Sequence, residues 1–329
     1  MKEDKAWKRV KGLGLLKCKR CLSVKHFDVE EKVRILITGA NGYLGERLVK
    51  TYQGKYEVFA ATRENMDFTD EDKVKAAFAD FRPEVVIHCG AISDVAACAM
   101  DASKSLEINV HGTQNLAKAC RQQSARMVFC SSDQVYIESL TKENEAVFYL
   151  PHKEEERLKP LPVYGQHKLM AEQSCLHENP DSVILRLTLL YDMPDKAERE
   201  RGKGMFGENL KTALENCLPH QVLKNTSRGI TDCREVVANM EKAWSLPPGI
   251  YNFGSTGTGT VYDTVRKVFS LFGKEALVTS RGHREGGEER NLLMDTQKAE
   301  KEGILFRDTA LGLYQYIKAV PFQKSAENK

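Results

Sequence analysis

No apolar run in the 329 residues comes near the roughly 18 that a membrane-crossing helix needs, which excludes an integral helical membrane protein. Nine cysteines are too few for a disulfide scaffold in a chain this long. Several sit in apolar runs, as in Val86-Ile87-His88-Cys89 and Val128-Phe129-Cys130, and their odd number suits a reducing cytoplasm. Strong charge of one sign is also missing. The formal net charge is +3, with 41% hydrophobic and 29% charged residues, so disordered and low-complexity chains are excluded. The imbalance lies at the start: nine Lys or Arg fall within residues 1–25 against Glu3 and Asp4, which leaves the rest mildly acidic. Such a body offers no broad footprint for nucleic acid, and neither nucleic acid nor membrane is expected as a partner.

There is no internal repeat. Gly12–Leu16 is too short for a secretory core and no small-residue cleavage site follows it. Glu3, Asp4 and the low serine content weaken a mitochondrial presequence. Cys18 and Cys21 form a CxxC, but no second CxxC or paired histidine stands nearby to complete four zinc ligands, so no metal site is expected. Residues 1–30 read as a solvated basic tail, and residues 321–329 as a second tail.

Organised patterning begins at Val33. Val33–Ile37 is a β-branched run ending in Thr38-Gly39 and reads as a buried strand. Tyr43–Thr51 turns helical, with Leu44, Leu48 and Val49 on one side. Tyr56–Ala61 reads as a strand, and Asp70–Phe81 as a helix capped by Asp70 and stopped by Pro83. Glu84–Cys89 is the third strand, Ser103–Gln123 a helix, and Arg126–Cys130 the fourth strand. A charged stretch then runs to Pro162, followed by a helix over Val163–His177 and a strand over Ser182–Leu187. After Tyr191 the pattern loosens into short mixed elements up to about Ile317. Strands alternating with helices at this spacing mean crossover units: an α/β fold with a doubly wound parallel sheet.

Gly39-Ala40-Asn41-Gly42-Tyr43-Leu44-Gly45 lies between the first strand and the first helix. Glycines there give a tight turn and let phosphate approach the backbone, while the helix N-terminus offers free N–H groups to a pyrophosphate; the bland alternative is a mere turn. The end of the second strand, Ala60-Ala61-Thr62-Arg63, holds no acid until Glu64. Nothing there repels a 2′-phosphate, and the Arg63 guanidinium could pair with one, so NADP(H) is expected ahead of NAD(H).

Tyr164 and Lys168 stand four residues apart on a predicted helix, which stacks them on one face. A cation there is expected to lower the phenol's pKa toward neutrality, so that it can hand a proton to a carbonyl oxygen as hydride reaches the carbon. Ser131 and Ser132 end the fourth strand, where ligands bind in a doubly wound sheet, and a hydroxyl there can steady a developing oxyanion. Either serine alone could equally cap a turn.

With these residues in place, the chain resembles an extended short-chain dehydrogenase/reductase. More closely it resembles the dTDP-4-dehydrorhamnose reductase family, which also includes the non-catalytic regulatory β subunit of methionine adenosyltransferase. The resemblance rests on ILITGANGYLG (35–45), residues 66–91 and 108–120, VFCSSDQVY (128–136), PVYGQHKLMAEQ (162–173) and ILRLTLLY (184–191), with weaker echoes at 227–237, 249–255 and 290–295. It implies a Rossmann cofactor domain over 31–185 and a smaller mixed α/β substrate region over 186–320. It implies catalytic roles for Ser132, Tyr164 and Lys168, the last also holding the nicotinamide ribose. On the cofactor it implies Gly39, Asn41, Gly42, Tyr43, Leu44 and Gly45, with Arg63, then Asp67 and Phe68 along the adenine. Cys89, Gly90 and Ala91 would pass over the cofactor, with Asn109 behind; Ser93, Asp133 and Arg228 would face substrate. The implied function is an NADP(H)-dependent reductase of a keto-sugar nucleotide. The alternative is an NADP-binding regulatory subunit that clasps a partner enzyme. A cytoplasmic protein and a homodimer are further expectations.

Departures from the family pattern concern the sugar. Gln134 follows Asp133 where an aromatic is usual, Ala96 stands where an aspartate often faces the sugar, and Glu288-Glu289-Arg290 replaces Arg-Pro before Asn291. The stretch 137–161 is long and charged. Cofactor and hydride chemistry therefore carry over better than recognition of one particular keto-rhamnose. Elsewhere, His88 reads as a satisfied core histidine, Gly254–Gly259 as a flexible connection before a phosphate loop, and Arg199–Lys203 as a solvated loop before an anion-steering cluster.

Overall fold

Val85–His88 and Val183–Leu187 are buried at every residue, which places them inside a sheet covered on both faces. The computed structural model describes residues 8–9, 16–17, 32–141, 144, 146–194, 196–200, 204–281 and 289–319. Its main sheet has six parallel strands: β1 (Arg34–Thr38), β2 (Glu57–Ala61), β3 (Val85–His88), β4 (Arg126–Ser132), β5 (Val183–Leu187) and β6 (Gly249–Phe253). Their order is β2-β1-β3-β4-β5-β6, so the winding reverses between β1 and β3. This is the expected doubly wound Rossmann arrangement, and the reversal opens the crevice where such sheets take ligands.

Alternation along β1 sorts the core. Ile35 and Ile37 face α1 (Tyr43–Tyr52) and the helix Cys233–Ala243, while Leu36 joins Val74, Phe78 and Leu116 on the opposite face. That second face is covered by α2 (Glu71–Phe81), then α5 (Gly112–Gln123) and α6 (Val163–Glu178), with α3 (Val95–Met100) and α4 (Ala102–Leu106) between the first two in sequence. A separate cluster built on Leu210, Val265, Phe269 and Leu313 holds the C-terminal region. There the chain forms three two-stranded parallel pairs: 189–191 with 230–232, 220–223 with 278–281, and 226–228 with 290–292.

Several differences from the sequence reading have local causes. Strand β6 comes from far beyond residue 185, so the sheet is completed by the later part of the chain. The helix expected over 103–123 is interrupted within its span only by a π-turn, and the short helix α3 before it is an addition. Asp94 caps α3 by accepting from the Ala97 N–H at 2.8 Å, and Asp101 caps α4 by accepting from the Lys104 N–H at 2.9 Å. A π-turn at Glu107–His111 then carries Asn109 into α5. Strand β4 runs on to Ser132, so both serines belong to its end. The described residues of the stretch 137–161 are anchored: Phe148 is buried, His152 stacks on Tyr136 at 4.5 Å, and Glu154 accepts from the Asn252 N–H at 2.8 Å. Cys18–Cys21, residues 201–203, Glu288 and residues 321–329 lie outside the described residues, as do most of 1–30. Among the described residues no helix is long and apolar enough to cross a membrane, and no group of His, Cys, Asp and Glu is placed to hold a metal ion.

Candidate functional site

The loop after β1 turns on Gly39, whose φ of +64° is the left-handed region that glycine adopts without strain. A Cβ on Gly39 would stand 2.8 Å from the Gly90 Cα, so the ends of β1 and β3 meet there. A Cβ on Gly45 would fall 2.1 Å from the Gly39 oxygen, which lets α1 start directly against the loop. Gly42 is the N-cap residue and no side chain caps the helix. The first-turn N–H groups of Tyr43, Leu44 and Gly45 are thus open to an anion. Asn41 is exposed at the tip. The Tyr43 ring lies beneath the Arg47 guanidinium at 4.0 Å and against Gly204, while Arg47 pairs with Asp192 and Glu198, both at 2.8 Å. Chain from the C-terminal region therefore packs on the start of α1.

At the end of β2, Asn65 organises the turn by accepting from the Thr62 N–H at 2.7 Å. Arg63 is exposed there, near enough to Asp67 to help hold its carboxyl below the usual range, an effect led by the Thr69 hydroxyl. The Phe68 ring is wedged into the notch between Gly90 and Gly112, edge-on to His88 at 5.1 Å. His88 itself is fully buried. Its Nδ1 meets Thr38 Oγ1 at 2.7 Å and its Nε2 meets Thr113 Oγ1 at 2.9 Å, and burial lowers its pKa to about 3. It is the satisfied, neutral core histidine its strand suggests. Asn109, expected among the cofactor residues, is 1% exposed; it accepts from the Ile92 N–H at 2.8 Å and donates to the Ile92 oxygen at 3.0 Å. Its amide holds the loop that carries Gly90 and Ala91. Cys89 is half-buried, its Sγ 3.6 Å from that of Cys130. Ser93 is exposed just ahead of α3.

The three residues ending β4 each meet helix α6. Lys168 Nζ donates to the Cys130 oxygen at 2.7 Å and lies over the Phe129 ring at 4.2 Å. Ser131 Oγ donates to Glu172 at 2.5 Å. Ser132 lies close enough to the Tyr164 phenol to lower its pKa against the effect of burial. Gly165 makes this approach possible, because a Cβ there would stand 2.4 Å from the Gln134 oxygen. Beside Ser132, buried Asp133 accepts from Arg228 Nη2 at 2.6 and 2.9 Å, so two residues expected to face substrate form one ion pair. Burial pushes the Asp133 carboxyl up despite the arginine.

One electrostatic expectation is overturned. Tyr164 is raised above the ordinary phenol value by burial, with Ser132 opposing, and it is not lowered toward neutrality. Desolvation of a buried phenol outweighs a lysine whose ammonium is turned to the Cys130 carbonyl. Burial also brings Lys168 down to about 8.

The sequence reading passed over Gly165, Glu172 and Arg186. Glu172 had a signal, since it follows Lys168 by four residues on the stripe already marked by Tyr164. The Gly254–Gly259 segment is not a loose connection: the Ser255 N–H donates to Thr231 Oγ1 at 2.7 Å, and a Cβ on Gly257 would stand 3.0 Å from the Arg228 oxygen.

Comparison with known proteins places this chain in a family. The family model described as RmlD substrate binding domain matches residues 33–320. The chain belongs to the RmlD substrate binding domain family. Among its relatives, the dTDP-4-dehydrorhamnose reductase of Aggregatibacter actinomycetemcomitans is 34% identical over 160 residues, 48% of this chain and 52% of that protein. Methionine adenosyltransferase 2 subunit beta of Rattus norvegicus is 32% identical over 193 residues, 54% of each chain. The chain thus spans about half the length of either relative in these matches. Among solved structures, dTDP-4-dehydrorhamnose reductase from Bacillus anthracis, in complex with NADP, superposes with a TM-score of 0.73 at 21% identity, covering 88% of this chain and all of that one. Both a reductase and a regulatory subunit, the two branches of the expected resemblance, are therefore among the proteins this chain is similar to.

Proposed function

We propose that this protein is an NADP(H)-dependent reductase of a keto-sugar nucleotide. The observation that carries the reading is the convergence of Ser132, Tyr164 and Lys168 at the carboxyl end of the parallel sheet, beside a crevice whose glycine cradle a single Cβ would fill. The cradle fits a dinucleotide: the first-turn N–H groups of α1 would take its pyrophosphate, Arg63 a 2′-phosphate and Lys168 the ribose. When bound, the cofactor supplies hydride to the keto carbon. Ser132 donates a hydrogen bond to the keto oxygen, and Tyr164 gives that oxygen its phenolic proton, so the carbonyl becomes an alcohol. Burial keeps the Tyr164 phenol protonated at neutral pH, which suits a proton donor in the reducing direction. Asp133 and Arg228, paired beside Ser132, would meet the sugar nucleotide from the C-terminal side. Seven free thiols among the described residues are consistent with a reducing, cytoplasmic setting.

The test is Tyr164→Phe, which removes one hydroxyl. With a panel of dTDP- and UDP-linked keto-sugars, NADPH oxidation is expected to fall by about 10²- to 10⁴-fold while NADPH binding, read by fluorescence titration, is retained. Unchanged turnover would refute the mechanism. Wild-type protein that binds NADPH and reduces no member of the panel would leave the regulatory alternative standing.

A further inference from the structure

Beyond the three residues of the proposed chemistry, a buried polar chain ties the same helix to the same strand. Glu172 is 1% exposed and Arg186, on β5, is 2% exposed. Arg186 Nη2 donates to Glu172 Oε2 at 2.8 Å and its Nε to Oε1 at 3.1 Å, a two-pronged pair. Glu172 Oε1 also accepts from Ser131 at 2.5 Å. Arg186 Nη1 continues to the Tyr136 hydroxyl at 2.8 Å, which donates to Asn252 Oδ1 on β6 at 2.7 Å. Consecutive β4 residues Cys130 and Ser131 thus bond Lys168 and Glu172, with Ser132 beside Tyr164, and the three helix residues form one stripe at four-residue spacing.

We infer that Glu172 is a positioning residue: by joining Ser131 to Arg186 it fixes the height of α6 along β4, so that Tyr164 meets Ser132 and Lys168 meets the strand end. The inference rests on the reductase reading for its kinetic consequence, but its geometry stands apart from it. A helix packed on a sheet by apolar contacts alone can slide, whereas a carboxylate held from two strands at once cannot without stranding buried charge. The mouth of the stripe is held close by Gly165 against the Gln134 carbonyl, and Glu172 pins its far end, two helical turns away.

Glu172→Gln leaves Arg186 unpaired in the core and is expected to unfold the chain readily, so the deciding variant is Ser131→Ala, which keeps the ion pair and cuts only its tie to β4. Protein labelled with ¹³Cζ-tyrosine reports position directly, with the Tyr164 resonance assigned by its loss in Tyr164→Phe. In Ser131→Ala the Tyr164 resonance is expected to move and kcat to fall about ten- to a hundredfold, with the KM for NADPH and the thermal midpoint held; Ser131→Thr, which returns the hydroxyl, should restore both. An unmoved Tyr164 resonance in Ser131→Ala overturns the inference, and so does an activity loss that merely follows the folded fraction. A wild type that binds NADPH without turnover overturns the reductase reading alone, because a displaced Tyr164 resonance in the variant still upholds the positioning.

Discussion

Lys168→Met should make the protein more stable at neutral pH while disabling the site. The ammonium is 2% exposed, and burial brings its pKa from 10.5 to about 8. At roughly 1.4 kcal/mol per unit, the folded state carries about 3 kcal/mol against keeping Lys168 charged below pH 8. The substitution removes that cost and also the hydrogen bond to the Cys130 carbonyl, which offsets about 1 kcal/mol. The net expectation is a gain of about 2 kcal/mol at pH 7. The sign with pH follows from proton counting. Between about 8 and 10.5 the unfolded chain binds the Lys168 proton and the folded chain does not, so wild-type stability rises across that window. The advantage of the variant should shrink there and reverse once lysine is neutral in both states. Urea unfolding of both proteins at pH 7, 8, 9 and 10 measures the difference and cancels every other group that titrates. A variant less stable than wild type at pH 7, or a difference that stays flat from pH 8 to 10, would refute the account of a desolvated ammonium.

Two more substitutions test the walls of the site. Gly165→Ala places a Cβ 2.4 Å from the Gln134 backbone oxygen, so α6 must shift; a loss of about 1–3 kcal/mol in stability and a larger proportional loss of kcat are expected from urea melts and steady-state rates. Arg63→Glu should weaken NADPH binding by about ten- to a hundredfold with little effect on NADH, read by paired fluorescence titrations, because the charge-assisted hydrogen bond proposed for the 2′-phosphate would be replaced by repulsion.

The first half of the fold was readable because its signals are local. Ile35, Leu36 and Ile37 are buried on both sides of β1, Asp70 accepts from two N–H groups of α2, and Arg82 closes that helix in the left-handed region just before Pro83. The place of strand β6 in the sheet was not readable in the same way. GIYNF gains its place only by pairing with Val183–Leu187, more than sixty residues earlier, and no local pattern reports a partner at that distance. The short helix α3 was missed for another reason. Asp94 caps it, but a six-residue helix is too short for helical periodicity to show. Asn109 shows the limit for a site residue: its place in the motif is legible, while its action through Ile92 depends on how a π-turn aims one amide.

Tyr164 and Lys168 show why spacing carries less than it promises. Four residues apart on a helix puts two Cβ atoms on one face, and that much was legible. Where the long lysine chain ends is decided by β4, whose Cys130 carbonyl and Phe129 ring take the ammonium. The same packing that seats the pair removes water from both, raising the phenol and lowering the amine. The two groups therefore move away from the ionised pair, tyrosinate with ammonium, that sequence spacing alone suggests. A neutral phenol beside an amine with a pKa of about 8 holds its proton at neutral pH for an acceptor oxygen. Abstracting a proton from an alcohol would first require that buried phenol to ionise. On these grounds the buried phenol suits the proton-donor role proposed for it, and burial outweighs the lysine in setting its acidity.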